Sequence, residues 1–378
     1  MQAGVFRLSM THPGDVSALE GLIRDGSARA REIAAVIGKT EGNGGVNDFT
    51  RGYFTQSLMA LLSRHLRESP ETLARRIPCV LSGGCEGVLS PHYIVLTVCA
   101  EAPAATGSAP ALAIGTAMSE PLPAWEVGRP AHIRSVADAV ATAMDGAQIT
   151  DPADVHFVQV KCPCVTAARA EAARAPGKTV TTSDPGRSMA LARAAGAFGV
   201  ALALGEIEAS AAAERPLLGD FSVFSARASI SSGIEVEANE VIVLGNSRRW
   251  SGPLTIAHRP MRDALDIAGV VDALADLGIA ANPQVAAEDA ARVAAVLVKC
   301  EPDRRGEVRG QRHTMLDDTD INAQRHIRGA VGGLVAGVLG DTRIFVSGGA
   351  EHQGPDGGGL IAVIARRSDP SRSTPCAS

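Results

Sequence analysis

The chain has 378 residues, of which 46% are hydrophobic and 20% are charged, a balance typical of a globular protein rather than a disordered or fibrous one. Aromatic residues make up only 3%, which disfavours the base-stacking surfaces that bind single-stranded nucleic acid. The formal net charge of -5 also argues against a phosphate-backbone partner, which needs clustered Lys and Arg, so we expect a small-molecule ligand and no nucleic acid.

The N-terminal residues and the cysteines indicate where the protein resides. The first seven residues have no apolar stretch of secretory length, and no later run approaches the roughly 20 residues that cross a bilayer. The seven cysteines are scattered, and the short Cys162-Pro-Cys164 spacing disfavours a zinc site. We therefore expect reduced thiols, a cytoplasmic location and no membrane partner.

Strand and helix signals alternate along the chain. Apolar strand-like runs are predicted at 33–38, 77–81, 92–98, 155–160, 240–244, 293–298, 342–346 and 360–365. Helices are predicted at 55–67, 167–175, 189–204, 284–292 and 327–339. Alternation of this kind predicts an α/β fold in which helices cover the strands.

Two short patterns occur three times each, always in the same order. In the first pattern, a predicted strand ends at Lys39, Lys161 or Lys299. In the second, a later segment contains a serine followed by glycine and an acid, at 82–86, 231–235 and 347–351. The chain is therefore interpreted as three homologous α/β units of about 126 residues, at 1–104, 105–250 and 251–378. The boundary near 104 falls in a segment rich in proline and small residues, and the tail from Ser368 is expected to be frayed.

An arginine near the start of each main helical stretch completes the repeat. These are Arg51, Arg193 and Arg328. When the three units are superposed on these arginines, the apolar positions that follow them coincide, which favours Arg328 over Arg325. Around a pseudo-threefold axis, arginines and serines could donate to ring carbonyls while backbone carbonyls accept from ring N–H groups. This lining matches a cyclic triple imide.

Several long motifs carry a family resemblance. Segments 38–51, 158–164, 231–235 and 347–359 resemble the cyanuric acid hydrolase and barbiturase family of ring-opening amidohydrolases. The resemblance runs from about residue 39 to 365. It implies three units around a pseudo-threefold axis with the active site at the centre, a homotetramer, and hydrolysis of a cyclic amide without an organic cofactor. With cyanuric acid, the family reaction gives carboxybiuret, which loses carbon dioxide to yield biuret.

The lysine and serine pairs predict a nucleophile and its base. A serine hydroxyl attacks well only when a base takes its proton, and a lysine serves as that base when burial and nearby cations keep it neutral. The second copy differs by having Ser232 where the others have glycine, and the resemblance also favours it, so Lys161 and Ser231 are assigned as catalytic. The residues assigned to substrate binding are Lys39, Arg51, Ser82, Gly83, Arg193, Ser232, Lys299, Arg328, Ser347 and Gly348. The acids Glu86, Glu235 and Glu351 are interpreted as structural partners of lysines or arginines.

A glycine-rich loop at 350–359 raises the possibility of a metal. Such a loop can turn several carbonyl oxygens toward one point, which suits a hard cation such as Mg²⁺ or Ca²⁺. The resemblance implies a structural metal held by Glu301, Gln353 and the carbonyls of Ala350, Gly354, Pro355 and Gly358. A glycine-rich turn without an ion is the alternative.

Two other functions stay open at this point. Barbiturase activity, which converts barbituric acid to ureidomalonate, shares every motif named above. A protein of another class, a non-catalytic binder of a cyclic imide, could retain the same threefold pocket.

Overall fold

The computed structural model describes residues 1–101, 109–175, 177–214 and 217–368. The predicted unit boundary between 104 and 105 and the tail beyond 368 lie outside the described residues. Within the described part of the chain, the long strands form three four-stranded sheets of identical strand order. In each sheet the first strand of the unit pairs with the fourth, the fourth with the second, and the second with the third.

The first unit contains one sheet and three helices. Its strands are β1 (Gln2–Ser9), β2 (Ile33–Thr40), β3 (Cys79–Gly83) and β4 (His92–Cys99), in the order β1-β4-β2-β3. Its helices are α1 (Ser17–Arg24), α2 (Phe49–Leu66) and α3 (Pro70–Ala74). Strand β2 pairs with β3 in parallel and with β4 in the antiparallel sense.

The second unit repeats this plan. Its strands are β5 (Ala111–Met118), β6 (Val155–Pro163), β7 (Ala228–Gly233) and β8 (Glu240–Ser247), in the order β5-β8-β6-β7. Its helices are α4 (Pro130–Gly146), α5 (Ala167–Arg174), α6 (Pro185–Ala203) and α7 (Ala209–Glu214).

The third unit adds a small hairpin to the same sheet. Its strands β9 (Leu254–Met261), β10 (Val293–Cys300), β13 (Phe345–Ser347) and β14 (Gly359–Arg366) lie in the order β9-β14-β10-β13. The two-residue strands β11 (Glu307–Val308) and β12 (Gln311–Arg312) form the hairpin. The helices are α8 (Ile267–Ala275), α9 (Ala287–Ala290) and α10 (Ala323–Leu339).

The three sheets pack on one another around a pseudo-threefold axis, as predicted. One apolar core takes buried side chains from all of them, including Ile37, Leu96, Val160, Ile242, Leu297 and Ala362. The opposite faces of the first and third sheets are covered by their own helices, where Phe54 packs near Val36 and Val331 near Val296. Because the sheets are covered on both sides, strands such as β2 and β10 consist of nearly continuous apolar runs up to their lysines.

The three main helices begin four to six residues before the predicted positions. The predictions at 55–67, 189–204 and 327–339 correspond to α2, α6 and α10, which begin at residues 49, 185 and 323. Their side-chain caps explain the difference, since Asp48, Asp184 and Asn322 each accept a backbone N–H from the first turn. The spacing of apolar residues, on which the predictions depend, does not indicate where such a cap starts the helix.

The helix predicted at 284–292 is wrong. Only α9, of four residues, forms there. The preceding residues are held by α10 instead, because Val285 N–H donates to Val338 O at 2.8 Å and the Gln284 amide donates to Gly337 O at 2.7 Å. Among the described residues, no helix is long and apolar enough to cross a membrane.

Candidate active site

Three lysines end the central strands of the three sheets, and each lies beside a serine. In the parallel pairs, Lys39 is in register with Ser82, Lys161 with Ser231 and Lys299 with Ser347. The sequence contains four lysines, and these three are at most 1% exposed. A lysine is seldom buried without a specific partner, so three at equivalent positions indicate a built site.

A single pocket collects side chains from all three units. It is lined by Gly44, Arg51, Leu81, Ser82, Gly83, Lys161, Met189, Arg193, Ser231, Ser232, Arg328, Ser347 and Gly348. The structure thus brings together the predicted catalytic pair and the predicted substrate-binding residues, with two exceptions. Lys39 and Lys299 are absent from the lining and lie behind their serines.

Three pocket residues were missed by sequence reasoning. Leu81 precedes the first serine, and Met189 lies one helical turn before Arg193, so both could have been found by extending the motifs. Gly44 belongs to the loop before α2 and has a φ of +72°, a backbone conformation that favours glycine. Its place in the pocket depends on the conformation of this loop, which the spacing of apolar residues in the sequence does not predict.

Arginine and glutamate side chains connect each unit to the next. Arg51 of the first unit bonds Glu235 of the second through Nε at 2.7 Å. Arg193 of the second unit bonds Glu351 of the third at 2.7 and 2.6 Å. The cycle closes when Arg328 of the third unit bonds Glu86 of the first at 2.9 and 2.5 Å.

These contacts place the three glutamates as charge partners of the arginines. All three arginine side chains are largely buried, with exposed fractions of 3%, 14% and 6%. Arg325 also reaches Glu86, at 3.4 Å, but its side chain is 48% exposed and it does not line the pocket. A buried guanidinium requires a carboxylate, so the three pairs neutralise the pocket wall.

The second lysine is held differently from the other two. Lys39 donates to Ser82 Oγ at 3.2 Å, and Lys299 donates to Ser347 Oγ at 3.0 Å. Lys161 instead contacts Glu235 Oε1 at 2.7 Å and donates to Leu81 O at 3.3 Å. Among the described residues, the buried hydroxyls of Ser231 and Ser232 have no hydrogen-bond partner. The second copy therefore combines a serine hydroxyl that its lysine does not engage with a lysine held by a carboxylate.

Burial controls the protonation of these lysines. Burial, assisted by the Arg328 guanidinium, lowers the pKa of Lys39 to about 7. Burial and Arg193 do the same for the pKa of Lys299, also to about 7. Burial likewise lowers the pKa of Lys161, but the Glu235 carboxylate opposes that shift. Neutral amines are thus accessible near neutral pH at Lys39 and Lys299, and burial moves the pKa of Lys161 in the same direction, as a lysine base requires.

The loop suggested for a metal lies beside Glu301. The Glu301 carboxylate is buried, its Oε2 accepts the Ala350 N–H at 3.1 Å, and its Oε1 lacks a hydrogen bond within the described ranges, although the Arg304 guanidinium lies against it. Burial raises the pKa of this carboxyl group to about 8. A buried carboxylate oxygen that faces a cationic group fits a cation ligand if the Arg304 guanidinium gives way to the ion.

Several of the other suggested ligands already accept backbone hydrogen bonds. Gln353 Oε1 accepts the Ile230 N–H at 2.6 Å, and Pro355 O and Gly358 O accept N–H groups at 3.0 and 3.2 Å. A carbonyl oxygen has a second lone pair, so these oxygens can still coordinate an ion. Among the described residues there is no group of three or more His, Cys, Asp or Glu side chains suited to a metal, so a cation here would depend mainly on carbonyls.

Comparison with known proteins gives consistent matches over nearly the whole length. The profile of a family described as "Amidohydrolase ring-opening protein" matches residues 4–366. A cyanuric acid amidohydrolase from Azorhizobium caulinodans is 50% identical over 367 residues, covering 97% of this chain and 99% of that protein. One from Enterobacter cloacae is 47% identical over 370 residues, covering 97% and 100%.

Solved structures match equally well. A cyanuric acid hydrolase structure described in terms of structural concatenation superposes with a TM-score of 0.90 at 45% identity, covering 97% of this chain and 99% of that one. The crystal structure of the hydrolase from A. caulinodans superposes with a TM-score of 0.88 at 48% identity and the same coverage.

The buried lysines predict a specific dependence of stability on pH. A lysine whose pKa falls from 10.5 to about 7 on folding binds fewer protons when native than when unfolded between those values, so stability rises with pH across that window. Lys39→Met removes this charge, whereas the lost hydrogen bonds give an offset that does not vary with pH. The thermal midpoint of Lys39→Met relative to wild type should therefore be highest at pH 6–7 and fall toward pH 10.

The control is Lys178→Met, which changes the exposed fourth lysine. Its difference from wild type should stay flat over the same pH range in calorimetry or fluorimetry. A flat difference for Lys39→Met as well would contradict the lowered pKa.

Proposed function

Because the chain belongs to the family of ring-opening amidohydrolases, we propose that it opens the ring of cyanuric acid by hydrolysis. The observation that supports this most is the pocket itself, in which three equivalent serines and three equivalent arginines, one of each from every unit, surround one small space. Cyanuric acid has three carbonyls and three N–H groups in alternation, so its polar edge has the same threefold repeat. The names of the relatives support the same substrate.

The arginines position the ring. Arg193 and Arg328 use Nε and Nη2 on their glutamates, which leaves Nη1 as the donor to a ring carbonyl. Holding a planar ring by several fixed donors places one carbonyl against the reacting serine, and such positioning lowers the barrier substantially. The hydroxyls of Ser82 and Ser347 and the backbone N–H groups of Gly83 and Gly348 complete the binding set.

The ring opens by nucleophilic attack in this proposal. Ser231 Oγ attacks a ring carbonyl carbon while its proton passes to the neutral Lys161 amine. The new oxyanion is stabilised by the N–H and O–H donors of the first and third copies, each typically worth ~3 kcal/mol. When the C–N bond breaks, Lys161 returns the proton to the departing ring nitrogen, leaving an acyl group on Ser231.

Water then completes the reaction. A water molecule gives its proton to Lys161 and attacks the acyl carbon, which releases carboxybiuret and regenerates the serine hydroxyl. Carboxybiuret loses carbon dioxide and becomes biuret. Because a neutral lysine is needed at both stages, activity should decline as the pH falls below the range in which Lys161 loses its proton.

A structural cation is a second part of the proposal. Glu301 would hold Mg²⁺ or Ca²⁺ together with Gln353 and the carbonyls of Ala350, Gly354, Pro355 and Gly358, taking the place of the Arg304 guanidinium. When bound, the ion would neutralise the buried Glu301 carboxylate and draw the loop carbonyls together. No step of ring opening passes through it. The homotetramer implied by the sequence resemblance and the cytoplasmic location expected from the cysteines and apolar runs also stay predictions.

Substitution of the three serines tests the assignment of the nucleophile. Ser231→Ala should lower kcat for biuret formation from cyanuric acid by at least ~10³-fold, since Ser231 alone forms the acyl-enzyme in this proposal. Ser82→Ala and Ser347→Ala remove donors only and should lower kcat by about 10²-fold. Ser17→Ala, an exposed serine of α1, is the matched control and should retain wild-type turnover.

Barbituric acid serves as the second substrate in the same assay. Ureidomalonate formation faster than biuret formation would identify a barbiturase instead. Binding of either ring without turnover, unchanged in Ser231→Ala, would identify a non-catalytic binder.

Cation binding is tested by stability rather than by activity. After treatment with a chelator, addition of Mg²⁺ or Ca²⁺ should raise the thermal midpoint of wild type, because an ion bound only by the native state stabilises it. Glu301→Gln should abolish the rise, whereas Glu288→Gln, at an exposed site, should retain it. An equal rise in wild type and Glu301→Gln, or no rise in wild type, would contradict this site.

A further inference from the structure

The residue opposite each buried lysine differs among the three units. In each sheet the fourth strand pairs antiparallel with the lysine strand, which places His92 opposite Lys39, Glu240 opposite Lys161 and Leu360 opposite Lys299. Side chains directly opposite each other in an antiparallel pair lie on the same face of the sheet, a few ångströms apart. Of these three equivalent positions, the second alone carries an acid.

Glu240 is buried and has a defined contact. Its side chain reaches across to the first unit, where Oε2 accepts the backbone N–H of Cys79 on β3 at 3.0 Å. The charged and titratable groups around it are Lys161 on β6, Glu235 in the loop after β7 and the Cys79 thiol on β3. This carboxylate lies outside the pocket lining, so it does not touch the substrate.

Burial and the neighbouring groups shift the pKa of Glu240 in opposite directions. Burial raises the pKa of its carboxyl group to about 7, although the Cys79 N–H and Lys161 act in the opposite direction. Lys161 and Arg51 hold the pKa of Glu235 at about 2 despite its burial, so that neighbour is an anion throughout the working range. Glu235 is shared between Lys161 and Arg51, and the Glu240 carboxylate also acts to raise the pKa of Lys161.

Resting on the function proposed above, we propose that Glu240 is the positioning residue that makes Lys161, rather than Lys39 or Lys299, the base of ring opening. When Lys161 takes the proton of Ser231, a buried ammonium forms, and a nearby carboxylate stabilises it as the aspartate of a serine-protease triad stabilises its imidazolium. His92, whose pKa is lowered to about 4 chiefly by burial, and the apolar Leu360 offer no such anion. The proton itself moves only from Ser231 to Lys161 and then to the departing ring nitrogen.

A purely structural role for Glu240 is the competing explanation. The bond to the Cys79 N–H joins two units and could be its whole purpose. Glu240→Gln separates the two roles, because the amide keeps an oxygen that accepts this N–H but cannot carry a negative charge. His92→Gln is the matched control, since it introduces the same side chain at the equivalent position without changing a charge at neutral pH.

The test is the pH profile of kcat/KM for biuret formation between pH 5 and 10. Removing a carboxylate lowers the pKa of a neighbouring lysine, so the acid limb of Glu240→Gln should move to lower pH by about one unit. The plateau of kcat should fall about tenfold or more while KM changes less than about threefold, because the charge is needed in the transition state. His92→Gln should leave the acid limb in place.

A second measurement needs no turnover. A carboxyl group whose pKa is raised on folding contributes stability that is lost as the pH rises from about 4.5 to about 7, and Gln lacks this loss. The thermal midpoint of Glu240→Gln relative to wild type should therefore rise between pH 5 and 8. An unshifted acid limb, or a midpoint difference independent of pH, would overturn the role of Glu240 while leaving ring opening intact. Absence of turnover in wild type would overturn the proposed function and this role together.

Discussion

The site depends on three buried arginine–glutamate pairs that connect each unit to the next. A guanidinium taken out of water needs a carboxylate nearby, and here each of the three arginines bonds a glutamate of the neighbouring unit. The pocket therefore exists only when all three units are packed together. Burial and a neighbouring guanidinium, Arg328 or Arg193, lower the pKa values of Lys39 and Lys299 toward neutrality, although Glu86 and Glu351 oppose the shift.

The threefold repeat gives the pocket a symmetry that matches the ring, and small differences between the three units determine which serine reacts. Three equivalent serines suit a ring with three equivalent edges, but only one of them can react with a given bound ring. The second unit differs from its copies at three points: the Ser231 hydroxyl has no hydrogen bond within the described part of the chain, Ser232 replaces glycine, and Glu240 lies opposite the lysine. These differences converge on Lys161, which contacts a carboxylate where the other lysines contact serines.

Much of this arrangement could be predicted from the sequence, because repeated short motifs survive where their positions are tightly constrained. The pairing of each lysine with a serine follows from their recurring order, and the preference for Arg328 over Arg325 follows from superposing the repeats. The sequence leaves open whether the three glutamates partner lysines or arginines. Features that depend on loop geometry could not be predicted. The side-chain caps move the helix starts, the contacts of 284–285 with α10 prevent a predicted helix, and Gly44 enters the pocket from a loop. The position of Lys39 and Lys299 behind their serines depends on side-chain packing, and the position of Glu240 opposite Lys161 depends on strand pairing.

The central claim is that three units build one pocket in which the second serine alone becomes acylated. The most direct test is rapid acid quench of wild type during turnover of cyanuric acid, followed by digestion and mass spectrometry of the three serine-containing peptides. The account predicts a covalent adduct on the peptide containing Ser231 and none on those containing Ser82 or Ser347. An adduct on either of the other serines would contradict it.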